Sequence, residues 1–93
     1  MQVSGPRELI ARGEIDVHTA PALAERVDAV AADGGDIVID MRDVTFLDSS
    51  GLSVLLRTHD RLQPDGRLVL DSPSSIVRRL LEVAGLEGVF ELD

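Results

Sequence analysis

Ile37-Val38-Ile39 is an unbroken run of three β-branched residues, set between Asp33-Gly34-Gly35-Asp36 and Asp40. Such side chains favour strands, and a strand without polar alternation suits burial on both faces, the habit of a parallel sheet. Parallel neighbours need a crossover, usually a helix. The rest of the chain supplies both parts. Leu9-Ile10-Ala11 with Gly13-Glu14-Ile15 reads as a strand, Gly13 marking a bulge or a close backbone approach. Thr19 stands as the cap of a helix over residues 20–32, with Pro21 in its first turn and Leu23, Val27 and Val30 on one face.

Asp40 closes the Ile37 strand in this reading, and residues 41–47 form a link. Asp48-Ser49-Ser50-Gly51 then opens a second helix, with Leu52, Leu55, Leu56 and Leu62 at helical spacing. Pro64-Asp65-Gly66 is a turn, and Leu68-Val69-Leu70 a third short strand. Ser72-Pro73 has the cap and first-turn preference of a third helix carrying Ile76, Val77, Leu80, Leu81 and Ala84. Gly85 fits the position just past that helix, with Leu86 as the accompanying hydrophobic contact. Val89-Phe90-Glu91-Leu92 is a last strand. The order predicts an α/β fold: an open, mostly parallel sheet of about four strands with helices packed over it. Residues 1–4 are expected to add a short antiparallel edge strand, turned by Gly5-Pro6. At 93 residues the chain reads as one domain, 1–93.

Composition narrows the function classes. Nine basic residues (all Arg) against 17 acidic ones leave a formal charge of -8. That argues against nucleic acid, whose binding draws on clustered Lys and Arg, and against an anionic membrane surface. The absence of Cys excludes disulfides and thiolate metal sites. No apolar run approaches the roughly 20 residues that span a bilayer. Met1-Gln2-Val3-Ser4-Gly5-Pro6 lacks the basic and apolar regions of a signal peptide, so the expected location is the cytoplasm. Phe46 and Phe90 are the only aromatics, too few for a stacking platform.

Sites in open α/β sheets gather at the carboxyl ends of strands. This points to residues 16–19 and 40–50. Asp48-Ser49-Ser50-Gly51 falls at a helix start, where backbone N–H groups are unpaired and the helix dipole favours negative charge. One reading is a plain capping segment, with Asp48 or Ser49 as cap and Ser50 a polar first-turn residue. The other is a modifiable serine: Gly51 leaves the approach to Ser50 uncrowded, and a phosphate there would meet the positive end of a helix. Asp16, Asp40 and Asp48 fall at strand ends, but no metal-ligand pattern stands out, and neither metal nor cofactor is expected. G-x-S-x-G is absent and nothing places a base beside Ser50, so a serine hydrolase is not indicated. His59 lies roughly 13 Å along the same helix and reads as a boundary residue of its apolar face. His18 reads as a solvated loop residue. No Walker-A or G-x-G-x-x-G loop appears, and no small-molecule substrate is expected.

Three blocks in order resemble a known family. Ile37-Val38-Ile39-Asp40 with Val44-Thr45-Phe46-Leu47-Asp48-Ser49-Ser50-Gly51-Leu52 is similar to the signature of STAS domains, and more narrowly of bacterial anti-sigma-factor antagonists. Gly13-Glu14-Ile15-Asp16 with Thr19-Ala20 resembles the first block of that family. Val77-Arg78-Arg79-Leu80-Leu81 with Ala84-Gly85-Leu86 resembles the last. The likeness runs over about residues 8–92. It implies partner switching. The unmodified antagonist binds an anti-sigma factor that is also a serine kinase, which frees a sigma factor. The kinase phosphorylates the second serine of D-S-S-G, here Ser50, the complex dissociates, and a serine phosphatase resets it. Asp16, Asp48, Ser49, Ser50, Gly51 and Leu52 are then the expected partner-binding residues. Such a protein is the substrate of an enzyme, not one itself. The rival reading is a non-switching STAS docking module, such as an accessory subunit of a lipid or anion transporter. A hydroxyl at position 50 favours the regulator, since a docking piece has no need of one.

Overall fold

The strand-forming runs pair into a single sheet in a computed structural model, which describes residues 8–32 and 34–93 and the backbone of Gln2 and Val3. The order is β1 (Gln2–Val3), β2 (Glu8–Ile15), α1 (Ala20–Ala31), β3 (Ile37–Leu47), α2 (Ser49–Leu62), β4 (Leu68–Asp71), α3 (Ser75–Ala84) and β5 (Glu91–Leu92). The strands lie side by side in chain order. β1 pairs antiparallel with β2, and β2 to β5 are all parallel. The mostly parallel α/β sheet and its antiparallel edge strand are as the sequence predicts. The Gly5-Pro6 turn and Asp33 lie outside the described residues.

β3 departs from expectation. Asp40 does not close it, and residues 41–47 are strand, not link. The reason is pairing: beyond Asp40, β3 stays in register with β2 as far as Ile15 opposite Leu47. Met41, Val44 and Leu47 are buried there. β3 has 11 residues and β2 has 8: β3 begins one residue before its first β2 partner, and two register shifts, between Ile10 and Arg12 and between Gly13 and Glu14, absorb the other two. At each shift β2 advances by one residue fewer than β3, the mark of a bulge. Gly13 sits at the second with φ +74°, a conformation glycine adopts without steric cost. Arg42 and Asp43, and again Thr45 and Phe46, are exposed as adjacent pairs, so the two-residue alternation of a regular strand is lost.

Leu9, Ile37, Ile39, Met41, Leu68 and Leu70 form the buried sheet layer, each at 1% exposure or less. α1 packs on β2 and α2, α2 on β3 and β4, and α3 on β3. Burying one such side chain stabilises the fold by about 1.5–3 kcal/mol. In α2 the buried face is Gly51, Val54, Leu55, Thr58 and Leu62, while Leu52 and Leu56 are half-buried at its margin. The leucine pattern therefore points to one side of the true face. Thr58 is tolerated inside because its hydroxyl donates to the Val54 carbonyl at 2.8 Å.

α3 starts at Ser75, later than Ser72-Pro73 would have it. Ser72 adopts φ +51° and Pro73 is buried. Ser74 then anchors the turn to β3, its N–H donating to the Met41 carbonyl and its hydroxyl to the Val44 carbonyl at 2.7 Å. Val77 and Leu81 are buried in α3, but Ile76 and Ala84 are exposed. Gly85 ends the helix at φ +72°, its N–H donating to Glu82, with the Leu86 N–H donating to Leu81, as expected. The last strand is shorter than predicted: Val89 and Phe90 lie in the preceding turn, where Phe90 is 4% exposed.

Candidate functional site

β2 and β3 end level with each other, and that sets the site. The ladder runs to Ile15 opposite Leu47, and one further bond extends it, from the Asp48 N–H to the Ile15 carbonyl at 3.1 Å. Both chains then turn into helices. Asp16 and Asp48 thus leave the carboxyl ends of neighbouring parallel strands, and the two candidate segments meet. Asp40 does not join them. It lies within β3 opposite Ile10 and Asp71, its carboxylate accepting from the Arg42 N–H and Nε at 3.0 and 3.3 Å. No group of three metal-ligating side chains assembles among the described residues.

Asp48 caps α2. Its backbone is extended (φ -105°, ψ -173°), and its Oδ1 accepts from the N–H groups of Ser50 and Gly51 at 2.9 and 3.2 Å. The carboxylate satisfies two of the otherwise orphaned donors and lies at the positive end of the helix dipole. Removing it with Asp48→Ala is expected to cost about 1 kcal/mol. For a chain this size that is a fall of about 4–8 °C in Tm. Asp48→Asn keeps an accepting oxygen, and thermal melts should place it between wild type and the alanine variant.

Ser49 is exposed and Ser50 half-buried. The Ser50 hydroxyl has no hydrogen-bond partner among the described residues, so no protein contact holds it back. Gly51 is buried and faces inward. A Cβ there would collide with Leu47 Cδ1 and come within 2.6 Å of Ile15 Cγ2. Its part is to let the start of α2 press against the ends of β2 and β3, which fixes the height at which Ser50 stands. That is a different part from the open approach, or the contact face, expected of it from the sequence. Leu52 is half-buried beside it.

Across the strand ends, Asp16 organises the β2–α1 loop. Its Oδ1 accepts from the His18 N–H at 2.9 Å, the Thr19 N–H at 3.1 Å and the Thr19 hydroxyl at 3.2 Å. The Thr19 N–H is the main reason that the Asp16 carboxyl is held below the ordinary aspartate range. Desolvation opposes the shift, while the His18 N–H, the Thr19 hydroxyl and the His18 charge add to it. Thr19 occupies the cap position of α1 without capping it by side chain: its hydroxyl is turned to the Glu14 carbonyl at 2.9 Å. His18 is exposed. His59 is half-buried at the far end of α2, edge-on to Phe90 with ring centroids 5.8 Å apart. No hydrogen bond joins either histidine to Ser50 among the described residues.

Two apolar residues near the site escape a reading of the sequence. Val17, next to Asp16, is 61% exposed, and Phe46, two residues before the Asp48 cap, is 43% exposed. A simple alternation starting from buried Val44 would bury Phe46 and expose Leu47. The register shift between Gly13 and Glu14 inverts that order. No local signal marks it, beyond the glycine itself. The paired strand ends thus carry Asp16 and exposed Val17 after β2, and exposed Phe46, Asp48 and Ser50 at the passage from β3 into α2.

A sequence model of the STAS domain matches residues 3–93. The chain is 36% identical over 81 residues to the anti-sigma-B factor antagonist of Bacillus subtilis (strain 168), an alignment covering 86% of this chain and 74% of that protein. A crystal structure of an anti-sigma factor antagonist from Mycobacterium paratuberculosis superposes with a TM-score of 0.78 at 35% identity, over 97% of this chain and 80% of the other. The unphosphorylated form of the anti-sigma factor antagonist SpoIIAA superposes with a TM-score of 0.77 over 98% of this chain and 84% of the other. At 22% identity that likeness speaks for the fold alone.

Proposed function

The chain belongs to the STAS domain family, and from that premise we propose that it is an anti-sigma-factor antagonist switched off by phosphorylation of Ser50. Residues 1–93 act as one STAS domain in this reading, in the cytoplasm. The names of its relatives support the general role. The observation that carries the switch is the placing of Ser50: a half-buried hydroxyl in the first turn of α2, whose own N–H donates to the capping carboxylate of Asp48.

The unmodified face, made of Asp16, Asp48, Ser49, Ser50 and Leu52 with Gly51 seating the helix behind them, binds an anti-sigma factor with serine kinase activity. The sigma factor is then free. Transfer of the γ-phosphoryl group of ATP to the Ser50 oxygen, with loss of its proton, adds about -1.5 to -2 charges and three acceptor oxygens. The fold accommodates this, because the phosphate meets the positive end of α2. The complex does not, because the same charge enters a contact that already holds two carboxylates. A serine phosphatase restores the binding form. The chain is the substrate in this cycle, not a catalyst.

Incubation of wild type and Ser50→Ala with candidate anti-sigma kinases and ATP, read by intact mass, tests the proposal. Wild type should gain the mass of one phosphate and Ser50→Ala none. Failure of every such kinase either to modify or to bind the wild-type chain would favour a non-switching docking module instead.

A further inference from the structure

Resting on the reading of the Ser50 face as a partner surface, we infer that the contact continues down the groove between α1 and α2, where Arg57 takes an acidic side chain of the anti-sigma factor. Ser50, Arg57 and Arg61 are related as i, i+7 and i+11. At 3.6 residues per turn that puts them within about 40° of one another around α2. This stripe faces α1, since Arg61 Nη1 reaches Asp28 Oδ1 at 3.1 Å. Between the two helices lies a groove of about 290 Å³ lined by Ala24, Asp28, Val54, Arg57, Thr58 and Arg61.

The chemistry of the groove selects its occupant. At its base Val54 is 4% exposed and Thr58 has given its hydroxyl proton to the Val54 carbonyl, so neither offers a donor to a ligand. On the walls, Arg61 and Asp28 neutralise each other. That leaves Arg57, exposed and, like Arg12, Arg26, Arg78 and Arg79, in no ion pair among the described residues; its place in the groove, on the Ser50 side of α2, sets it apart from those four. A positive group with no internal partner in a groove that offers no other free cation fits a carboxylate of the partner. Seven residues at 1.5 Å each place Arg57 about 10 Å along α2 from Ser50, well inside one standard interface of about 800 Å² per partner. The acid that Arg57 attracts is then the group that a phosphate on Ser50 repels, and the two charges act on one element of the partner.

Binding of the cognate anti-sigma kinase by wild type, Arg57→Glu and Arg78→Glu tests this. Arg78 is exposed on α3, outside the groove, and both reversals move the formal charge from -8 by the same two units. Arg57→Glu should slow association and weaken the complex by at least about tenfold at low salt, the deficit shrinking as salt rises, while Arg78→Glu stays within about twofold. Arg57→Gln should fall between, and both Arg57 variants should melt with wild type. Equal behaviour of Arg57→Glu and Arg78→Glu, in a protein whose wild type binds and whose Ser50→Asp does not, would sink the groove contact alone. Self-association of the wild type that Arg57→Glu abolishes would also overturn it, giving the groove to a second copy. A wild type that binds no anti-sigma kinase would bring down the functional reading, and this inference with it.

Discussion

Ser50→Asp should weaken the complex with the anti-sigma factor by at least about 30-fold while leaving the melting temperature within a few degrees of wild type. The two halves of that expectation have separate causes. An uncompensated charge forced into a protein contact costs about 2–5 kcal/mol, and the lower figure is already about 30-fold. Ser50 is half-buried before any partner arrives, so a covering surface would strip the remaining water from the new carboxylate. Asp48 stands two residues away, bonded to the Ser50 N–H itself, and adds like charge. Within the free protein the balance is opposite. A carboxylate in the first turn of a helix gains about 0.3–1 kcal/mol from the dipole, which offsets crowding by the Asp48 cap. Ser50→Asn separates charge from bulk, since it is close in size to Asp and neutral. Calorimetric titration should find it nearer to wild type. A Ser50→Asp protein that binds as tightly as wild type would remove charge as the basis of the switch.

Gly51→Val should lower stability by about 2–3 kcal/mol, a drop in Tm on the order of 10–20 °C, and should weaken partner binding even at temperatures where the chain is folded. The first Cβ atom already meets Leu47 Cδ1 and Ile15 Cγ2, and both side chains are buried, at 5% and 4% exposure. Ile15 is β-branched and held in the β2 ladder, so it has little freedom to move aside. The start of α2 must lift instead, and that stretches the bonds from Ser50 and Gly51 to the Asp48 cap. Gly51→Ala makes the same first collision but gains up to about 1 kcal/mol of helix propensity, so its net loss should be smaller. Denaturant melts rank the three proteins. Stability of Gly51→Val equal to wild type would show that the helix start is not seated by this contact.

Different parts of this molecule were legible to different degrees. The helix boundaries set by short-range bonds read well from the sequence. The cap of α2, which the sequence leaves between Asp48 and Ser49 and the structure gives to Asp48, and Gly85 with Leu86 at the end of α3 are decided within four or five residues. The Ile37 run points to a strand between two parallel neighbours, and β3 pairs so with β2 and β4; Ile37 and Ile39 are buried on one face, while Val38 is only half-buried on the other. Where the deciding partner is remote, local pattern and structure part. α3 starts at Ser75 and not at Ser72-Pro73 because Ser74 bonds to Met41 and Val44, some thirty residues earlier. The length of β3 depended on β2 offering paired positions up to Ile15.

The candidate site divides along the same line. By itself the sequence determined the type of fold, the start of α2 at the D-S-S-G segment and the hydroxyl at Ser50. Those rest on propensity, capping and chain order, which are properties of neighbouring residues. Only the tertiary structure decided that Asp16 joins Asp48, that Gly51 is buried, that Phe46 faces outward and that Arg57 lines a groove between α1 and α2. The physical reason is the two register shifts between β2 and β3 and the packing of α2 against their ends and against α1. Each is a contact between segments far apart in the chain, and no local pattern carries the offset at which they meet.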